Sequence, residues 1–245
     1  AKPGVRLDGF IRSPLRRTFT YTKPLVHEPG HPPRELNRLD IKNWEPTPHA
    51  LCHAAADALA AISDDIDALI LMDQVDVADT GVVTPPVLQA VERLARRRPA
   101  LPILADSRRS LRGFPPSIFK MNAAELGLLM GAPVHDLDDV QRAAADLAQR
   151  NQRPVFITLA ERGIVGASPD GHAFHQPALP VRGPIDVVGA GDSVSANLAT
   201  ALAAHATLPD AMELAMAAAH HVVHQLGTTG TASVPELQAI LGCNP

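Results

Sequence analysis

IDVVGAGD, residues 185–192, followed by the small-residue run SVSANLATALAAHA to Ala206, decides how the rest of the chain is read. A short apolar run ends at Asp186-Val187-Val188, and Gly189-Ala190-Gly191 follows. Asp192 then opens a helical pattern with apolar residues at Val194, Leu198, Ala201 and Leu202. Glycine permits tight turns and lets the backbone come close to a ligand. The first turn of a helix leaves amide N–H groups unpaired at the positive end of the helix dipole. Together these predict an anion site suited to a phosphate. The negative charge of Asp192 repels a phosphate, so a carboxylate here fits better as a base that takes up a hydroxyl proton. The competing reading is a plain helix N-cap, for which Asp is well suited. The stretch is not G-x-G-x-x-G, because Val194 stands at the third glycine position, and the chain has no G-x-x-x-x-G-K-[ST].

A chain of 245 residues with 46% hydrophobic residues is sized for one large α/β domain or two small ones. Aromatics make up only 3%, so Ala and Leu must fill the interior, as suits helices packed on a sheet. A net charge of −4 and a pI near 6.3 argue against a nucleic-acid partner. Cys52 and Cys243 have no metal or redox spacing and read as reduced thiols. No apolar run reaches membrane-spanning length and no signal-peptide pattern is seen, so a cytoplasmic protein without a membrane partner is expected.

Residues 1–46 differ from the rest by their prolines and by the basic cluster Arg12, Arg16 and Arg17. Alternating polarity at Thr18–Thr22 and Glu35–Ile41 predicts two strands joined by the loop Glu28–Pro33, projecting as a lid or interface sheet. The basic cluster reads as a solvated face, with a contact to a substrate phosphate as the lesser reading. Residues 47–245 then read as an α/β core. Thr47-Pro48 opens a helix, and Ala68–Met72 is a buried strand ending at Asp73. A helix over Pro86–Arg97 precedes the strand Pro102–Ala105, which ends at Asp106. Ile118–Met121 leads to Asn122 and a helix stopped by Gly131, and another helix covers Asp138–Arg150. Val155–Leu159 and Gly163–Ala167 are apolar strands, and helices follow over Pro209–Gln225 and from the capping box at Ser233. Such alternation predicts a mostly parallel sheet covered by helices on both faces. Ligands bind such sheets at the carboxyl ends of the strands. Asp73, Asp106, Asn122, Thr158–Gly163 and Gly189–Asp192 should therefore share one edge. His220 and His224 have the i, i+4 spacing of a metal pair, but ordinary packing or surface histidines are expected because no carboxylate or cysteine accompanies them in sequence.

Several motifs in this order resemble the ribokinase-like (PfkB) carbohydrate kinases. Asp186 to Asp192 is similar to their D-T-x-G-A-G-D signature, Asn122-Ala123-Ala124-Glu125 to N-x-x-E, and Thr158–Gly163 to T-L-G-x-x-G with Ala160 for the first glycine. Within the family, Thr20–Lys23, Arg38-Leu39-Asp40 and Leu226-Gly227-Thr228 resemble the bacterial heptose-phosphate kinases. The resemblance implies a ribokinase-like fold with a small β lid and ATP-dependent phosphorylation of a sugar or sugar phosphate. Asp192 would be the base, and the backbone of Gly189, Ala190 and Gly191 the anion hole. Asn122, Glu125, Thr158, Glu161, Arg162, Gly163 and Asp186 would serve the nucleotide, with Mg2+ held through water by Glu125. Arg38, Asp40 and Asp73 would face the sugar, a monovalent cation would be a further cofactor, and the lid would join a homodimer.

The sequence also departs from that pattern. It starts near what would be the lid, so the family's first strands and glycine-rich sugar motif are expected to be missing. Val188 stands where Thr, Ser or Cys is common, and Met216 where relatives often carry Asn. A weaker cation site and weaker ATP binding are expected, and the alternative function is a catalytically weak or inactive kinase-fold protein with a binding or regulatory role.

Overall fold

The computed structural model describes residues 4–31 and 33–242, so Cys243 lies outside the described residues. The lid segment contains four short strands, β1 (Thr20–Thr22), β2 (Leu25–Val26), β3 (Arg34–Glu35) and β4 (Leu39–Ile41). They form one antiparallel hairpin in two ladders, β1 with β4 and β2 with β3. Two continuous strands are expected from sequence; each is broken instead. Pro24 has no N–H for a ladder bond and separates β1 from β2.

The core follows with α1 (His49–Ile62), β5 (Leu69–Asp73), α2 (Pro85–Arg97), β6 (Ile103–Ser107), β7 (Ile118–Asn122), α3 (Ala123–Met130) and α4 (Leu137–Asn151). It continues with β8 (Val155–Thr158), β9 (Ile164–Ala167), β10 (Ala173–Gln176), α5 (Ala190–Ala203), α6 (Leu208–Val223) and α7 (Val234–Leu241). The helices begin and end where side-chain chemistry dictates. Pro85 and Pro86 start α2, whose buried stripe Val87, Ala90, Val91 and Leu94 has helical spacing. Asn122 and Glu125 form a capping box on α3, and Gly131 closes that helix at φ 76°.

The core strands form a six-stranded sheet in the order β10-β9-β8-β7-β6-β5. β5 to β8 are parallel, while β9 and β10 turn back antiparallel. The link from Thr158 to Ile164 is a tight turn too short for a parallel crossover, which is why β9 reverses. β10 has no counterpart among the strands read from sequence, because Ala173–Gln176 carries a single large apolar residue, Phe174.

Side-chain alternation divides the core between the two faces of the sheet. Ile103, Ala105, Phe119, Met121, Val155 and Ile157 pack with residues of α1 to α4. Leu104, Ile118, Phe156 and Ile164 pack against Val194, Leu198 and Met212 of α5 and α6. Both faces are therefore covered, as the near-continuous apolar strands require. No described helix is long and apolar enough to cross a membrane.

Candidate active site

The carboxyl ends of β5 to β8 lie side by side, with Asp73 in register with Ser107 and Asn122 with Thr158. Around this edge some of the sequence-derived residues line two cavities, while Asp106, Glu125, Asp186, Asp192, Arg38 and Asp40 line neither. The larger, about 1020 Å3, is lined by Asn122, Thr158, Glu161, Arg162, Gly163, Ala190 and Gly191, with apolar walls from Val187, Val194, Met216 and Val223. The other, about 600 Å3, lies beneath the lid and is lined by Asp73, Gln74, Tyr21 and the basic cluster Arg12, Arg16 and Arg17.

The turn into α5 forms the end of the larger cleft. Gly189 is its N-cap at φ 86° and supplies no side-chain cap. A Cβ at Gly189 would sit 2.2 Å from the Thr229 carbonyl oxygen, so conformation and space both demand glycine. Ala190 N–H turns back to the Val187 carbonyl at 3.2 Å. Among the described residues, nothing accepts from the amides of Gly191 or Asp192. The Gly189 amide likewise has no acceptor among the described residues, so Gly189, Gly191 and Asp192, rather than Ala190, are the donors left for an anion. Asp186 braces the turn: its carboxylate accepts from the Val188 amide at 3.0 Å and the Gly227 amide at 3.4 Å. Asp192 is solvent-exposed in the first turn of the helix.

Beneath that turn lies a cation that the sequence reading missed. Lys120 is buried on β7, donates to Asp106 of β6 at 2.8 Å, and places Nζ 3.4 Å from where a Gly191 Cβ would be. Its signal was a single charged residue inside the apolar run Ile118–Met121, since buried charges are ordinarily paired or functional.

The remaining residues have mixed placements. Asn122 Oδ1 accepts from the Glu125 amide at 2.9 Å, and Glu125 Oε2 accepts from the Asn122 amide at 2.8 Å. That capping box occupies one Glu125 oxygen and leaves the other for water or a cation. Gly163 has φ 96°, and a Cβ there would lie 2.0 Å from the Gln176 carbonyl oxygen, so the segment after β10 crosses directly over it. Asp73 is buried; Oδ2 accepts from Ser107 at 3.0 Å and Arg109 at 3.1 Å, while Oδ1 has no partner among the described residues. Arg38 and Asp40 line neither cavity; they pair with each other at 2.8 Å on the lid, and Arg38 lies over the Tyr21 ring. Burial lowers the Arg16 pKa, and its guanidinium donates to Thr47 and, at 2.5 Å, to the Thr80 carbonyl. Arg16 is thus a strut between lid and core. Among the described residues, no group of three or more His, Cys, Asp or Glu could hold a metal ion.

Residues 86–235 match the pattern of the pfkB family of carbohydrate kinases. The chain belongs to that family. It is 31% identical over 244 residues to the bifunctional protein HldE of Citrifermentans bemidjiense, covering 98% of this chain and 47% of the relative. It is 36% identical over 220 residues to the HldE protein of Halorhodospira halophila, covering 86% and 43%. This pfkB-family chain therefore spans about half the length of the curated relatives it matches. Its fold is similar to that of Escherichia coli phosphofructokinase-2 in complex with fructose-6-phosphate, with a TM-score of 0.62, 18% identity, and 84% and 65% of the two chains covered. Arabidopsis thaliana ribokinase complexed with ribose and ATP gives a TM-score of 0.59 at 18% identity, covering 86% and 65%.

Proposed function

We propose that this chain transfers a phosphoryl group from ATP to a hydroxyl of a sugar or sugar phosphate. The observation that carries this reading is the uncapped start of α5, where unpaired amides remain, Gly191 lines the larger cleft and the Lys120–Asp106 pair lies close to Gly191. Phosphoryl transfer needs positioning and charge neutralisation more than covalent help. The Gly191 and Asp192 amides would take up charge on the moving phosphoryl group, as pre-oriented donors do in a site that excludes water. Lys120 adds a positive charge below them. Asp192, on the same turn, would hold the proton released by the attacking hydroxyl.

The residues fit a nucleotide with Mg2+. Gly191 brings the start of α5 to the cleft, Asn122 and the Thr158–Gly163 turn form the cleft wall, and Glu125 keeps one oxygen for a hydrated ion. When bound, Mg-ATP supplies the phosphoryl group and screens its charge. A monovalent cation fits less well, because Val188 offers no side-chain oxygen and both Asp186 oxygens already accept from amides. No step is assigned to one.

The sugar side would be the cavity beneath the lid. Asp73 Oδ1, buried and unpartnered, is an acceptor that a sugar hydroxyl could satisfy, and Arg12 and Arg17 on the same walls favour an anionic sugar. Arg38 and Asp40 would then act by shaping the lid. A homodimer joined through the lid and a cytoplasmic location complete the proposal.

ADP release measured against hexoses, heptoses and their phosphates tests the function. Asp192→Asn should lower turnover about a thousandfold, within the usual range for removing a general base, while leaving folding and nucleotide binding intact. An Asp192→Asn protein with near-normal activity would sink the assignment. Nucleotide binding without turnover in the unmodified chain would favour the weak-kinase alternative, to which Met216 in the cleft wall lends support.

A further inference from the structure

Between β10 and α5 the chain runs without regular structure from Pro177 to Val188. This strap carries Leu179, Val181, Ile185 and Val187 along a wall of the larger cleft and ends at the Gly189 turn. Three groups hold it to α6 and its surroundings. Leu179 packs with Ala217, Ala218 and Leu237. Near the other end, Asp186 N–H donates to the Val223 carbonyl at 2.8 Å. Between them, Arg182 N–H donates to Nε2 of His224, the C-cap of α6, at 3.2 Å. The other ring nitrogen, Nδ1, lies 2.7 Å from the His220 carbonyl oxygen. Because Nε2 accepts, the one proton of the neutral ring sits on Nδ1 and is donated to that carbonyl. A second proton on Nε2 would face the Arg182 N–H, turning the middle fastening into an opposed pair of donors.

We propose that His224 is a positioning residue that holds the strap in its nucleotide-binding shape only while its ring is neutral, so the cleft loses affinity for a nucleotide in acid. This rests on the reading of the larger cleft as a nucleotide site. The charged and titratable groups around the ring are few. On α6 the His220 ring is 4.7 Å away, and His221 points to Glu236 of α7 at 3.3 Å. The strap contributes the Arg182 guanidinium and the Asp186 carboxylate, and the latter is held by the Val188 and Gly227 amides. Among the described residues no carboxylate pairs with His220 or His224.

His220 works in the same direction. Burial, then the neighbouring His224, lower its pKa, with the Leu179 carbonyl opposing. A histidine whose pKa is lowered in the fold contributes stability that is present above the ordinary imidazole pKa, about 6.5, and is lost as pH falls toward the folded value. Imidazoles change charge between about pH 5 and 8, so the effect falls within a range that experiment can cover.

ADP binding by calorimetry, together with amide exchange at Arg182 in the ligand-free chain, tests the proposal. Between about pH 8 and 5.5 the unmodified chain should lose affinity about tenfold, and Arg182 should lose protection beyond the intrinsic pH effect, as expected for one hydrogen bond removed. His224→Gln offers an acceptor and a donor but takes up no proton. It should match the parent at high pH and show little further loss in acid, which also controls for titration of ADP itself. His224→Leu should bind weakly throughout. Unchanged Arg182 protection in acid, or an unaltered pH dependence in His224→Gln, would overturn the proposal. If no ADP binds at any pH, the nucleotide reading fails with its consequence, and Arg182 exchange alone decides whether His224 fastens the strap.

Discussion

Ala160 adopts φ 54°, in the left-handed region that favours glycine, at the position where the family resemblance places a glycine. An L-residue there carries about 1 kcal/mol of backbone strain, partly offset because glycine would lose more entropy on folding. Ala160→Gly should therefore raise stability by about 0.5 kcal/mol, read as a higher urea midpoint with an unchanged slope. A lower midpoint would mean that the turn tolerates alanine without strain. Thr-Leu-Ala-Glu-Arg-Gly does not show this by itself; only the motif it resembles marks the position. Asp73 shows the opposite limit. Its place at a strand end was legible from the apolar run before it, whereas its partner Arg109 is 36 residues away and carries no local signal. Gly189 was legible as a turn glycine, but not the reason that it admits no side chain, since Thr229 comes from another loop.

Among the secondary-structure elements, β6 and β7 each contribute one charged residue to the sheet face that α5 covers, and the pair Lys120–Asp106 is buried there. Removing one member of a buried ion pair leaves the other uncompensated and typically costs about 3 kcal/mol. Lys120→Met should cost about that much in urea unfolding, and adding Asp106→Leu should restore part of it by removing the stranded charge. The double variant should still fail to turn over substrate, because the cation below Gly191 would be gone. Full activity in a stable double variant would show that Lys120 serves the core alone. The helices and parallel strands were legible because their apolar periodicity is strong, as in the stripe from Val87 to Leu94. The strap from Pro177 to Val188 was not, because irregular backbone has no periodicity and its course depends on contacts with α6.

At the scale of the whole molecule, the lid has one face committed and one face open. Tyr21 pairs with Asp40 across β1 and β4, and the Tyr21 hydroxyl donates to the Gln74 carbonyl at 3.3 Å, so that face meets the core. Alternation places Leu39 and Ile41 on the opposite face, where they are 62% and 45% exposed. A narrow hairpin of this kind is marginal in water unless something covers it. A second copy presenting the same patch would cover both at once through a self-complementary two-fold contact, the commonest form of dimer. The chain should therefore run at twice its 26.0 kDa mass in light scattering at micromolar concentration. Leu39→Lys combined with Ile41→Lys should shift it to the single-chain mass. Since neither side chain is buried within the chain, that change should leave the core's unfolding midpoint nearly unmoved. If the cavity beneath the lid holds the sugar, separating the copies should raise the sugar KM more than it lowers kcat, because the lid forms a wall of that cavity but contributes nothing to the α5 turn. A chain already at single mass before substitution would refute the dimer, and an unchanged KM in the separated form would show that the lid keeps its shape without a partner.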